Sequence, residues 1–424
     1  MVELAPAHEA LLLAVEHRYY GKSNPGEDWA TESLRWLSSQ QALADLAAFR
    51  GYIVEKEGLT GQEKWVTWGG SYPGMLAGWA RLKYPHLFHA AVSSSSPLQA
   101  QLDFPQYAEV MRDALATSGY GLGGSEACAT AVETGEMIGM AGIGHATIGE
   151  LLETEEGRQE LITTFKLCNS SCLEDESARI SFAGDGVVVL PIQENDPACD
   201  GTACNIKAVC DMMTDGGLGS EVQRLATLRN LQRKASGEVE EQCDMVPPLN
   251  SWRPSDVGAD LLRTFEMREI LPMQRGSRAP DPSDPDRAWL YQTCTEFGFY
   301  QTCEIGTRCP FTQGLHTLDL DLHLCEDAFG ITPGEVKEQV RLTNLYYGGA
   351  RPSGSRVIFP NGAIDPWHVL GVLVTQTPGL PAIDVEGASH HFWTHPSKPT
   401  DSREVVKARE IIWEQITRWL REDE

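Results

Sequence analysis

The sequence predicts an α/β fold, a parallel sheet with crossover helices interrupted by a large, mostly helical, disulfide-bearing insertion. Three observations predict it. Short apolar runs at Lys64–Trp68, Ala90–Ser93, Val357–Phe359 and Pro381–Val385 read as strands, with helical patterns between and after them. A glycine turn, Gly69–Gly70–Ser71–Tyr72–Pro73–Gly74, joins the first of these strands directly to a helix. All eleven cysteines fall between Cys128 and Cys325, so the flanking segments contain none.

Each element has its own reason. Leu11–Val15 is short, apolar and bounded by charge, which reads as a buried parallel strand. Ser38–Glu57 reads as a helix, because Leu43, Leu46, Ala47, Phe49 and Ile53 recur at helical steps. Lys64–Trp68 is the strand ahead of the glycine turn, Gly74–Tyr84 its helix and Ala90–Ser93 the next strand. From about Pro97 to Ser355 no further strand of this sheet is evident. Helical stretches such as Ser220–Lys234 and Val257–Glu269 stand there instead, with exposed loops at Pro247–Pro248 and Pro280–Pro285. Strands resume at Arg356, and Ser402–Arg421 closes the fold as an amphipathic helix through Val405, Ile412, Ile416 and Trp419. The expected division is therefore a discontinuous core, 1–100 with 350–424, around an insertion at 101–349. There is no internal repeat.

A strand, a tight turn, a serine and then a helix is the layout that lifts a serine hydroxyl above an α/β sheet. Small residues are needed beside Ser71 because the backbone there is strained and the helix packs close to the strand. The fifth position of the motif is Pro73 rather than glycine, which a first helical turn tolerates. Alone, Gly-Gly-Ser-Tyr is more often an ordinary turn. Two further residues change that reading. Asp365 follows the strand Val357–Phe359, and His390 follows the strand Pro381–Val385. The order Ser, Asp, His is that of an α/β-hydrolase, in which the histidine takes the serine proton and the aspartate fixes its tautomer. Singly, Asp365 would be a turn cap and His390 a surface histidine; three residues in this order favour a triad.

These residues resemble the prolyl carboxypeptidase and dipeptidyl peptidase family of serine peptidases. The resemblance is carried by Glu16–His17–Arg18–Tyr19–Tyr20–Gly21–Lys22–Ser23, by Gly69–Tyr72 with Leu82–His86, by Trp289–Tyr300 and by Asn361–His368. The last two blocks are most similar to the thymus-specific branch. The match runs in blocks from about Leu11 to the final helix and is poor between Ala146 and Pro280. Position by position it implies Ser71 as nucleophile, Asp365 as orienting acid and His390 as base, with His391 a rival base. The backbone N–H of Tyr72 is expected to supply an oxyanion donor. The resemblance also implies cleavage at a proline near a chain end, hence an apolar slot. Met75, Trp367 and Trp393 are expected to line it by their sequence proximity to the triad, with Phe299 from the insertion. A charged group in the insertion would choose between the amino and the carboxyl end, and no residue is assigned to it.

The cysteines read as bridges rather than a zinc site, since none has the Cys-x-x-Cys or paired-histidine spacing of a zinc ligand set. The resemblance implies a Cys294–Cys325 bridge, and the odd count leaves at least one thiol unpaired. No metal and no cofactor is expected. Asn169–Ser170–Ser171 is a glycosylation sequon. Disulfides, sequon and resemblance together imply a secreted or lysosomal protein, yet Met1–His8 has no signal-peptide pattern. The family's opening segment, with a glycine-rich loop that donates a second oxyanion N–H, is also absent. The expectation is a chain that has lost its first strands, at a cost of roughly 100- to 1000-fold in turnover for one missing donor. A net charge of −26 excludes nucleic-acid binding and attachment to anionic membranes. No run reaches a membrane-spanning length. Peptides are the expected partners, and oligomeric state is left open. The alternatives are an esterase with the same triad and an impaired remnant acting as a binding module.

Overall fold

Helices begin where the sequence offers a cap, and strands form where apolar runs find parallel neighbours. The computed structural model describes residues 3, 5–26, 28–133, 144–167, 171–235 and 286–422. Helix α1 (Ser39–Lys56) starts at Ser38, whose hydroxyl oxygen accepts from the Gln41 amide. Strand β1 (Val66–Gly70) runs straight into α2 (Ser71–Lys83), and β2 (Ala90–Ser94) follows. After a long excursion come α3 (Asp286–Gln292), α4 (Pro333–Tyr347), β3 (Val357–Gly362), β4 (Ala382–Val385) and α5 (Arg403–Arg421). Ser402 caps α5 by accepting from the Val405 amide.

The four strands lie side by side in the order β1-β2-β3-β4, all parallel. Val66 pairs with Ala90, Ala91 with Val357, and Phe359 with Ala382. β2 and β3 are buried along their whole length, which is why they read as unbroken apolar or small-residue runs. The apolar stripe of α5 (Val405, Ala408, Ile412, Ile416, Trp419) packs with Ala90, Val92, Ile358 and Val385 in one core. Among the described residues no helix is long and apolar enough to cross a membrane.

Leu11–Val15 differs from its expected place. Among the described residues it joins no ladder, and Leu11 is 60% exposed. An apolar run of this length becomes a strand only when a neighbouring strand offers its open edge, and none does here.

Contacts divide the chain into two units. The first holds the sheet and comprises Met1–Leu102, Pro285–Gly298 and Gly334–Glu424. The expected insertion covered 285–298 and 334–349 as well, but both segments belong with the sheet. Their reason is specific: Glu296 accepts from the Ser39 amide at 2.9 Å, and the Tyr347 ring stacks on Trp79 with centroids 3.6 Å apart.

The second unit, Asp103–Asp284 with Phe299–Pro333, is mostly helical among its described residues. Disulfide Cys128–Cys210 ties helix Glu126–Val132 to helix Ile206–Met213. Cys199–Cys204 and Cys303–Cys309 close short loops, and Cys325 is also disulfide-bonded. The helix expected near Ser220–Lys234 is present as Glu221–Ala235. Cys168, Asn169 of the sequon, Cys243, the Pro247 and Pro280 loops and the expected helix Val257–Glu269 lie outside the described residues.

Candidate active site

Ser71 stands at the joint between β1 and α2, with φ at +58°. That left-handed conformation is unfavourable for a serine and persists only where the surroundings enforce it. They do so by close approach. A Cβ on Gly69 would lie 2.2 Å from the Pro73 carbonyl oxygen, and one on Gly74 would lie 2.3 Å from Ser96 Oγ. A Cβ on Gly70 would meet the His391 ring at 2.8 Å. Glycine is therefore required on both sides of the serine. The helix begins at Ser71 itself, so Pro73 falls in its first turn, where a missing N–H leaves no acceptor unsatisfied.

Asp365 and His390 come from the loops after β3 and β4. Backbone bonds from Ile364 N–H to Ala388 O (3.2 Å) and from Ala363 N–H to Val385 O (3.1 Å) hold these loops together. Asp365 is wholly buried. Its Oδ1 accepts from the Trp367 amide at 2.9 Å, and its Oδ2 lies 2.8 Å from His390 Nδ1. A carboxylate only accepts, so Nδ1 carries the proton and the lone pair is on Nε2. His390 Nε2 is buried with no hydrogen-bond partner among the described residues, Ser71 Oγ included. The pair is thus a polarised imidazole with its basic nitrogen unoccupied.

His391 has no such carboxylate. Its amide donates to Ser95 Oγ at 2.8 Å, its φ is +38°, and its ring lies against Gly70. Burial pushes its pKa well below the usual imidazole value, and His390 and His395 push the same way. His391 is a neutral packing partner for the turn.

The remaining expected residues separate. Tyr72 directly follows Ser71, and its amide is in the first turn of α2, where N–H groups have no intrahelical acceptor. Met75 has no exposed surface. Trp393 lies in the core under α5 and donates its indole N–H to Ser94 Oγ at 3.1 Å. The surfaces of both are taken up by packing, because the turn Phe392–Thr394 points Trp393 into the sheet. Trp367 is buried beside Asp365, bonded to it through the amide. Phe299 belongs to the second unit and is buried there. Among the described residues no cluster of His, Cys, Asp or Glu is arranged to hold a metal ion.

Sequence reasoning gave no role to Gln292 or Glu296, although both lie in a block it singled out. Gln292 Nε2 donates to the Tyr72 hydroxyl at 2.8 Å and to Glu296 Oε2 at 3.1 Å. Burial raises the Glu296 pKa, against which its bonds from Ser39 and Gln292 act. A glutamate between Thr295 and Phe297, the one charged residue from Ala288 to Cys303, was the available signal.

Comparison with known proteins gives the class first: this chain is a serine peptidase. It is 37% identical to the thymus-specific serine protease of Mus musculus, over 99% of this chain and 76% of that protein. It is 33% identical to the human counterpart over 99% and 75% of the two chains. The lysosomal Pro-X carboxypeptidase of Mus musculus is 26% identical over 99% and 77%. The family Peptidase S28, described as serine carboxypeptidase S28, matches residues 1–412, and the chain belongs to it.

Proposed function

We propose that the chain is a serine exopeptidase hydrolysing peptide bonds next to proline near a chain terminus, with Ser71, His390 and Asp365 as its triad. The observation that carries this reading is the buried Asp365–His390 pair, whose Nε2 lone pair is left open. His390 Nε2 takes the Ser71 proton as Oγ attacks the scissile carbonyl, and Asp365 stabilises the imidazolium that forms. The carbonyl oxygen gathers negative charge and is met by the Tyr72 N–H. Collapse breaks the C–N bond, and His390 returns the proton to the leaving amine. Water then repeats the sequence on the acyl-serine. Catalytic hydrogen bonds of this kind are often long or unformed in unliganded sites and tighten when substrate binds.

The proline preference is supported by the relative named a Pro-X carboxypeptidase. Trp367 stays in the proposal as an aromatic wall, since its amide is bonded to the triad aspartate. Secretion or lysosomal delivery is supported by the disulfides and by the lysosomal relative. The test is mass spectrometry of peptides with proline near either end, the termini free or blocked. The expected result is cleavage at the proline of one free-ended set, lost in Ser71→Ala. Turnover of acyl esters with no peptide cut would replace this reading with an esterase. Failure of a fluorophosphonate to label Ser71 in folded protein would replace it with a non-enzymatic binding module.

A further inference from the structure

The Tyr72 hydroxyl belongs to a part-buried relay whose hydrogen-bond directions are fixed when Glu296 is ionised. His17 Nδ1 lies 2.6 Å from the Arg18 carbonyl oxygen, so that nitrogen carries the proton. Its Nε2, 3.1 Å from the Tyr72 hydroxyl, must then accept. Tyr72 in turn accepts from Gln292 Nε2, whose second hydrogen goes to Glu296, while Gln292 Oε1 accepts from the Tyr20 hydroxyl at 2.6 Å. Glu296 also accepts from the Ser39 amide and, at 2.5 Å, from the Ser39 hydroxyl. That leaves Tyr347 to donate to Ser39 Oγ at 2.9 Å. A π-helical turn at Thr293–Phe297 presents Gln292 and Glu296 to this relay, and Phe297 and Trp289 flank the Tyr72 ring at 5.4 and 5.6 Å.

We infer that Gln292 and Glu296 are positioning residues for the oxyanion donor, acting through the Tyr72 side chain on the backbone N–H beside Ser71. The inference rests on the reading of Ser71 as nucleophile. Its physical basis is the strained backbone at Ser71, which would relax toward ordinary helical angles if the next residue were free to turn. The relay grips Tyr72 at the far end of its ring, and the helix grips it at the backbone. A fully satisfied network of this kind holds one geometry, because reversing one bond strands a donor elsewhere.

The test uses diisopropyl fluorophosphate on the full chain, separating the maximal rate of serine phosphorylation, with fluoride as leaving group, from the apparent affinity. Tyr72→Phe and Gln292→Met each remove a link and leave the Tyr72 N–H in place. The expected result for both is a maximal rate lower by about tenfold, the loss of one hydrogen bond's worth of alignment. Affinity should stay within about twofold, and both variants should still fold, with unfolding midpoints lowered by the partners left unpaired. An unchanged rate, or a change in affinity alone, overturns the inference. If Tyr72→Phe does not fold, Gln292→Met decides; loss of the fold in both also overturns it, since the relay is then a structural brace. Wild-type protein that does not react at all sinks the assignment of Ser71 instead, so the two failures are distinguishable.

Discussion

Asp365 Oδ2 and His390 Nδ1 are 2.8 Å apart, in a place where neither side chain reaches solvent. A bond so enclosed fixes the tautomer of the imidazole, and the proposed chemistry depends on that tautomer. Asp365→Asn keeps the shape, but its amide nitrogen can face Nδ1 only if the proton moves to Nε2. The fluorophosphonate labelling rate of Ser71 should fall on the order of 10⁴-fold. A labelling rate within tenfold of the parent would remove Asp365 from the triad.

The turn around the serine tolerates no added carbon. Gly69→Ala would drive a Cβ to 2.2 Å from the Pro73 oxygen, which is backbone and cannot step aside. Thermal unfolding should report a loss of about 1–3 kcal/mol, the usual cost of overpacking. Gly70→Ala meets the His391 ring instead, so it should cost less stability and displace that ring. Equal midpoints for Gly69→Ala and the parent would contradict this account.

Trp393 makes a different prediction from that of a pocket residue. Trp393→Phe retains most of the buried ring and loses the bond to Ser94. A drop of about 1 kcal/mol in stability is expected, with no change in the concentration dependence of labelling. A shift in that dependence would return Trp393 to the substrate slot.

In the second unit, His316 lies between Asp185 and Asp321, with Nε2 2.9 Å from Asp321 Oδ2. Burial opposes the charged ring, but the two carboxylates outweigh it and raise the pKa well above that of a free imidazole. A raised folded-state pKa contributes stability that is complete below the unfolded value and is lost as pH climbs through the folded one. The gap in unfolding free energy between the parent and His316→Gln should therefore be on the order of 3 kcal/mol in acid and shrink in alkali. A gap that widens with pH would show that the ring is neutral.

The Cys128–Cys210 bridge spans 82 residues of sequence, whereas Cys199–Cys204 spans 5. By loop-closure entropy alone these are worth about 4.5 and about 2 kcal/mol. Replacing the long-range pair with alanines should lower the unfolding midpoint of the second unit more than replacing the short one. The reverse order would mean that enthalpy or residual structure in the unfolded chain dominates.

The elbow at Ser71 could be read from the chain because its demand is local: a strand, two glycines and a helix within a dozen residues. Asp365 and His390 were legible because each follows a short strand, and strand order then fixes their neighbourhood. The Tyr72 relay was not legible. Its bonds join residues 220 and 257 positions apart, and no local pattern records such a pairing. Leu11–Val15 misled for the opposite reason, since an apolar run states a preference for burial without naming what will cover it. Trp393 is near His390 in sequence, but one short turn sends the two side chains to opposite tasks.

The sheet-bearing unit is stitched from three stretches of chain, and the last of them supplies both β3 and β4 as well as α5. During synthesis the other unit has all its residues once position 333 is made. Ser71, the proposed nucleophile, is made 319 residues ahead of His390, the proposed base (390 − 71). If the proposed triad is the hydrolytic centre, a nascent chain carries none assembled until His390 is made and β4 has joined the sheet.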